Sequence, residues 1–518
     1  MVSGGRAWVL QWCRAWLSAL LLSTLLPAHP AQPGPAADKP PAADARPEAA
    51  GSSEAAVTHH VMRLRGDPIA YTATAGYIPL TDEAGKLQAK IFYVAYTLDD
   101  GAASSPRPLT FAFNGGPGAS SMWLHLGVGP RRVVLPADGT ALPDSTVLVD
   151  NEATWLPFTD LVFVDPVGTG YSRAAEGVDE HQFYEVVRDV QVAAAFVRRY
   201  LTQSQRWLSP KFIVGESYGT TRAAALANWL QNSAGMNLNG VVLVSSVLDF
   251  QTIDFDRPND LAYVLALPSY AATAWFHGKR SGQLGELVRD TEQWATSDYL
   301  VALTRGAALG EGERTRIVQR LERDTGIDEQ ELRRRNLRID PGAFGAKVLR
   351  EPGRTVGRFD SRVTAPEIGG GADHGESDPS FFLVTGPVVE GLNHYLRSEL
   401  GFRSDLRYEY LSREANRSWK WRQGGQGYLY VADDLAQAMQ RDPRLHVFAA
   451  AGYYDLATPY AAQKHVLEHM ELDPALRGNL TFVGYPSGHQ IYTDPASALK
   501  LQADVQRFVR CTLVRACD

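Results

Sequence analysis

Three residues in this chain have the types and settings that nucleophilic catalysis needs. Ser217 sits in Gly215-Glu216-Ser217-Tyr218-Gly219, after a short apolar run at residues 211–214 and before an Ala/Leu-rich stretch. Strand, Gly-x-Ser-x-Gly turn and helix together predict a sharp elbow. It lifts the Ser217 hydroxyl above a sheet and aims the Tyr218 N–H at any oxyanion that forms there. Glycines at 215 and 219 leave room for strand and helix to approach closely. The bare pentapeptide is common, and its bland alternative is a helix-capping serine; the strand before it and the helix after it make it specific. A serine nucleophile also needs a base and a carboxylate to orient that base. The segment "FAAAGYYDLATP" ends a strand at Asp455, and "FVGYPSGHQIY" places His489 after the next one. The expected roles are general base for His489 and orienting carboxylate for Asp455. The alternatives are a capping aspartate before "TPYAAQ" and a surface-loop histidine. A second oxyanion donor is expected from the loop "NGGPGAS" at residues 114–120, with Gly116 as the donor.

These residues need a scaffold that brings strand ends together. Alternating, β-rich segments at residues 69–98 predict an opening antiparallel pair. Apolar strands are then expected at "LTFAF", "DLVFV", "KFIV", "GVVLV", "LHVFAAAG" and "NLTFVGY", with helices between them. Apolar strands alternating with helices predict an α/β fold with a mostly parallel central sheet covered on both faces. The pattern breaks after about residue 250, where the chain becomes charged, helical and irregular. We read residues 250–382 as an inserted, mainly helical cap. It divides a core of residues 58–249 from a second part at 383–518.

The termini carry separate signals. "AWLSALLLSTLLPAHPA", behind Arg6 and Arg14, reads as a secretory signal over residues 1–31, which predicts export to a periplasm or to the medium. Its apolar run is interrupted by Pro27 and Pro30; an uncleaved signal anchor is the only membrane association expected. Residues 32–57, rich in Pro and Ala, lack the apolar surface needed to order themselves and read as a linker. Beyond the signal the cysteines are Cys511 and Cys517, which an exported protein could pair or leave as free thiols.

Composition excludes some functions. With 45% hydrophobic and 21% charged residues the chain is ordinary globular material, and a net charge of −7 gives no reason to expect nucleic acid as a partner. No HExxH or Cys/His ligand spacing is present, so neither metal nor cofactor is expected. Asp324-Thr325-Gly326 has the composition of an aspartic-protease triplet, but such sites need two carboxylates sharing a proton, and this single copy reads as a helix end. Arg333, Arg334 and Arg335, among acidic neighbours, read as a solvated helix face.

Taken together the motifs resemble the serine carboxypeptidase family. "FNGGPGASS", "FVDPVGTGYS", "GESYGT", "AGYYDLATP" and "GHQIY" are similar to that family's segments, and they fall in the same order. The resemblance implies the α/β-hydrolase fold and the release of C-terminal residues from peptides through an acyl-enzyme. It also implies a role for the carboxylate beside the serine. In the family the matching Glu and the Asn of the glycine loop share a hydrogen bond and grip the substrate's terminal carboxylate. Those positions here are Glu216 and Asn114, with the Gly115 backbone helping. A protonated Glu216 can donate to a carboxylate, whereas an ionised one repels it, so an acidic optimum is expected for peptides. The alternative for Glu216 is a structural hydrogen bond to nearby backbone.

The sequence also departs from the family pattern. Ala119 stands in place of a disulfide cysteine, Thr220 in place of a glycine, Ala112 in place of Trp, and Gln490 in place of Met. Two other functions use the same residues: a serine esterase or acyltransferase, and a non-catalytic exported binding protein. Peptides with a free C-terminus are the expected partners of the first reading, and oligomeric state is left open.

Overall fold

The computed structural model describes residues 55–99, 106–136, 146–351, 353–367, 378–421 and 427–514. Its centre is a ten-stranded sheet. The principal strands are β1 (Ala56–Leu64), β2 (Asp67–Thr81), β3 (Leu87–Leu98), β4 (Leu109–Phe113), β5 (Asp160–Val164), β6 (Lys211–Glu216), β7 (Gly240–Val244), β8 (His446–Gly452) and β9 (Leu480–Tyr485). Their order across the sheet is β1-β2-β3-β5-β4-β6-β7-β8-β9, and the short strand Arg173–Ala174 pairs with β3. The pairs from β1 to β5 are antiparallel, and every pair from β5 through β4 to β9 is parallel. The opening element is therefore three antiparallel strands rather than the expected pair. In β1 exposed residues mostly alternate with half-buried ones, and its first two residues, Ala56 and Val57, fall at the end of the segment read as linker.

The parallel strands are apolar along their whole length because both faces are covered. Side chains alternate across a strand, and the two sets enter different cores. Phe111, Ile213, Leu243 and Ala449 join one core with the principal helices α1 (Val186–Gln203) and α2 (Tyr218–Ala234). Ala112, Val214, Val242 and Phe448 join the other, with the helix Pro379–His394 and the C-terminal helix α3 (Pro495–Val514). Between β7 and β8 lie nine α-helices among the described residues, and those from Asp260–Phe276 to Pro341–Lys347 have a core of their own around Tyr270, Tyr299, Leu321 and Phe344. Asp324-Thr325-Gly326 closes the helix Glu311–Thr325, with Gly326 in the left-handed region at φ 70°. Arg333, Arg334 and Arg335 pair with Glu329 and Glu331.

Residues 1–54, the read signal and most of the linker, lie outside the described residues. Among the described residues no helix is long and apolar enough to cross a membrane. Cys511 is disulfide-bonded; Cys517 lies outside the described residues.

Candidate active site

The loops that leave the C-terminal ends of β4, β6, β8 and β9 carry the residues of interest, which is where parallel α/β sheets place their sites. Ser217 is the first residue after β6 and caps α2 with φ 57° and ψ −130°. This is a sparsely populated conformation for a residue with a side chain, and it costs about 1–3 kcal/mol that the surrounding packing must offset. The packing is tight. A Cβ on Gly215 would lie 2.2 Å from the Gly219 carbonyl oxygen, and one on Gly219 would lie 2.3 Å from the Phe113 carbonyl oxygen. Only glycine fits at either position, so the elbow is forced by contact between backbones.

The glycine loop presses on the elbow from the β4 side. A Cβ on Gly115 would stand 2.6 Å from the Tyr218 nitrogen and 2.8 Å from the Ser217 Cβ. Gly116 adopts φ 100°, closed to most side chains. Among the described residues the N–H groups of Gly116 and Tyr218 meet no protein acceptor. The loop is fastened by Arg222, a fully buried residue of α2. Its Nη1 donates to the Asn114 carbonyl oxygen at 2.8 Å and its Nε to Asp189 at 2.8 Å.

Asp455 and His489 meet in the loops after β8 and β9. His489 Nδ1 lies 2.7 Å from Asp455 Oδ2, and both side chains are buried. Asp455 Oδ1 accepts from the Ala457 and Thr458 N–H groups at 2.7 and 2.9 Å, and Oδ2 also accepts from the Thr458 hydroxyl at 2.7 Å. Asp455 thus closes a turn at Ala457–Thr458 and touches the imidazole, but it does not cap the following helix, which starts at Tyr460 with Pro459 as its cap. A carboxylate on Nδ1 places the proton there and leaves Nε2 as an acceptor. Burial pulls the His489 pKa down, but the charge and hydrogen bond of Asp455 outweigh it and the net direction is up. Among the described residues the imidazole's hydrogen-bond partners are Asp455 and Thr458; the Ser217 hydroxyl is not one of them. The two residues hang from one neighbouring pair. Ser217 N donates to the Val244 carbonyl at 3.0 Å, and the Ser245 hydroxyl donates to the His489 carbonyl at 2.5 Å.

Glu216, directly before the serine, is buried with its carboxyl held on both oxygens. Asn114 Nδ2 donates to Oε1 at 3.0 Å and the Tyr492 hydroxyl donates to Oε2. Asn114 is itself oriented by the Leu124 N–H, which donates to its Oδ1 at 3.0 Å. Burial pushes the Glu216 pKa up to about 7; the charge of His489 and the bonds from Tyr492 and Asn114 oppose the rise without cancelling it. The alternative reading of Glu216, a bond to nearby backbone, does not describe this arrangement, because its partners are side chains.

The structure thus draws Asn114, Gly115, Gly116, Glu216, Ser217 and Tyr218 into one cluster and Asp455 and His489 into a second, linked through Val244–Ser245. Sequence reasoning missed Tyr492, Thr458 and Arg222. Tyr492 stands three residues after His489, and that proximity was the one signal available. Thr220 has a visible use: its hydroxyl donates to the Ser217 carbonyl at 2.6 Å and accepts from the Val247 N–H at 2.9 Å.

Comparison with known proteins agrees with the resemblance read from the motifs. A family model described as serine carboxypeptidase matches residues 65–281. Serine carboxypeptidase-like 45 of Arabidopsis thaliana is 30% identical over 228 residues, covering 42% of this chain and 43% of that protein. Pheromone-processing carboxypeptidase KEX1 of Saccharomyces cerevisiae is 35% identical over 170 residues, covering 30% of this chain and 22% of that one. The chain therefore spans less than half the length of the curated relatives it matches. The crystal structure of KEX1Δp from the same yeast superposes with a TM-score of 0.53 at 18% identity, over 85% of this chain and 91% of that one. That likeness establishes the α/β-hydrolase fold.

Proposed function

From the premise that residues 65–281 match the serine carboxypeptidase family, we propose that this protein is a serine carboxypeptidase. In this reading it removes residues from the C-termini of peptides through an acyl-enzyme. The observation that carries it is the buried Glu216–Asn114 pair beside Ser217, with a carboxyl that keeps its proton up to about pH 7. An esterase has no use for a neutral acid there, whereas a substrate with a free carboxylate needs a hydrogen-bond donor where a negative charge would repel it.

In this reading the steps run as follows from substrate binding to release. The substrate's terminal carboxylate accepts hydrogen bonds from Asn114, protonated Glu216 and the Gly115 N–H, which sets the last peptide bond over Ser217. The Ser217 oxygen attacks the carbonyl carbon while His489 Nε2 takes its proton, and Asp455 steadies the imidazolium at Nδ1. The oxyanion is stabilised by the N–H groups of Gly116 and Tyr218, which meet no other acceptor among the described residues. His489 then protonates the leaving amine and the terminal residue departs. Water, deprotonated by His489, attacks the ester and frees Ser217. The Ser217–His489 hydrogen bond is the contact substrate binding must complete; catalytic hydrogen bonds commonly tighten only in the complex.

We further read residues 250–382 as a cap over this site and residues 1–31 as an export signal that leads to a periplasm or to secretion. A mixed peptide library digested at pH 5 and analysed by mass spectrometry tests the activity. The expected products are ladders shortened one residue at a time from the C-terminus. Internal cleavage, or hydrolysis of simple esters with no peptide trimmed, contradicts it.

A further inference from the structure

The segment between two small paired strands, Arg354–Val356 and Thr364–Pro366, lies across both loops that carry the Asp455–His489 pair. Its backbone is bonded to each. Leu456 N donates to the Arg358 carbonyl at 3.0 Å and Ser361 N donates to the Tyr454 carbonyl at 3.0 Å, one on either side of Asp455. His489 N donates to the Phe359 carbonyl at 2.6 Å, and the Phe359 ring centroid is 4.9 Å from that of the imidazole. The fit leaves no slack: a Cβ on Gly488 would lie 2.5 Å from the Phe359 carbonyl oxygen.

Arg362 crosses the middle of this segment. Its guanidinium is gripped by Asp360 at 2.7 Å, donates to the Pro486 carbonyl at 3.0 Å and to Asp494 Oδ2 at 3.1 Å, and sits 5.2 Å from the Tyr454 ring centroid. Asp494 in turn accepts from the Ser497 N–H at 2.8 Å in the first turn of α3. One planar fork therefore touches the residue before Asp455 and both flanks of His489, a multi-point contact that a lysine's single ammonium reproduces only in part.

We propose that Arg362 is a positioning residue that sets the His489 loop against the Asp455 turn, so that residues inserted between β7 and β8 govern the reactivity of Ser217. The proposal rests on the reading of Ser217, Asp455 and His489 as the reacting groups. Arg362 also lines a cleft with Phe276, Phe359 and Gln490, so slower peptide turnover alone does not separate positioning from substrate contact. Covalent labelling by diisopropyl fluorophosphate does, because that small reagent reports serine reactivity without needing the cleft.

The labelling rate is measured on the full chain for the wild type, Arg362→Ala, Arg362→Lys and Ser217→Ala, with circular dichroism to verify folding. Since small misplacements of catalytic groups cost up to about a hundredfold, Arg362→Ala is expected to label about tenfold more slowly or worse, with Arg362→Lys restoring part of the rate. Where Arg362→Ala does not fold, Arg362→Gln carries the same expectation. Labelling of the folded Ala or Gln variant at the wild-type rate overturns the inference, whatever happens to peptide turnover. No labelling of the wild type, or undiminished labelling of Ser217→Ala, instead overturns the reading of Ser217 as nucleophile.

Discussion

Glu216 is where the chemistry of single residues is most sharply constrained. Its carboxyl is neutral below about pH 7 because burial penalises the charge more than Tyr492, Asn114 and His489 favour it. In the proposed mechanism the neutral form binds substrate, so peptide turnover is expected to fall as pH rises through about 7. Glu216→Gln, which stays neutral at every pH, is expected to flatten that limb while keeping measurable activity; steady-state kcat/KM from pH 4 to 9 checks both. Tyr492→Phe removes a bond that favours the charged form, so the same limb is expected to move to higher pH. Ser217→Ala is expected to lower kcat by about 10⁵- to 10⁶-fold, since only binding and the oxyanion donors remain. Stability carries the same proton with a definite sign. The folded state holds it up to about 7 and the unfolded state, at the ordinary 4.5, releases it earlier, so stability falls as pH rises between those values. At ~1.4 kcal/mol per pH unit the loss is about 3 kcal/mol, and denaturant titrations of Glu216→Gln are expected to lack it.

At the scale of elements, the elbow and the glycine loop are two backbones in contact, pinned by one buried cation. Arg222 reaches from α2 to Asp189 on α1 and to the Asn114 carbonyl in the glycine loop. Arg222→Met leaves the Asp189 carboxylate buried without its partner and is expected to cost about 3–5 kcal/mol, read as a lowered urea midpoint. The legibility of these parts follows from how local their causes are. A Gly-x-Ser-x-Gly turn between strand and helix, or a glycine-rich loop after "LTFAF", is dictated by neighbours within a few residues, so Ser217, Glu216 and Gly116 could be picked out from the chain alone. Tyr492 meets a partner 276 positions away, and Arg222 meets one 108 positions away; nothing near either residue announces the contact. β1 was missed for a different reason: as an edge strand it buries little, and with Val57, His59, Val61 and Arg63 facing solvent it has no continuous apolar run to mark it. The Arg354–Pro366 region was illegible because its order comes from the loops it lies on.

Across the whole molecule, the parallel half of the sheet converts distance along the chain into proximity at one edge. Ser217, Asp455 and His489 leave the ends of β6, β8 and β9, and the pairing of β7 with β6 and β8 fixes the spacing between them. The long segment between β7 and β8 returns to that edge through Arg358, Phe359 and Arg362. In the proposed account the site is assembled from the ends of the parallel strands and from the segment between β7 and β8. The central claim is that this assembly recognises a free chain end through a neutral Glu216. Its most direct test is the ratio of kcat/KM for one peptide bearing a C-terminal carboxylate to that for its C-terminal amide, measured at pH 5 and at pH 8. The account predicts a large preference for the carboxylate at pH 5 that collapses at pH 8 as Glu216 ionises. A ratio near one at pH 5, or a preference unchanged between the two values, would contradict it.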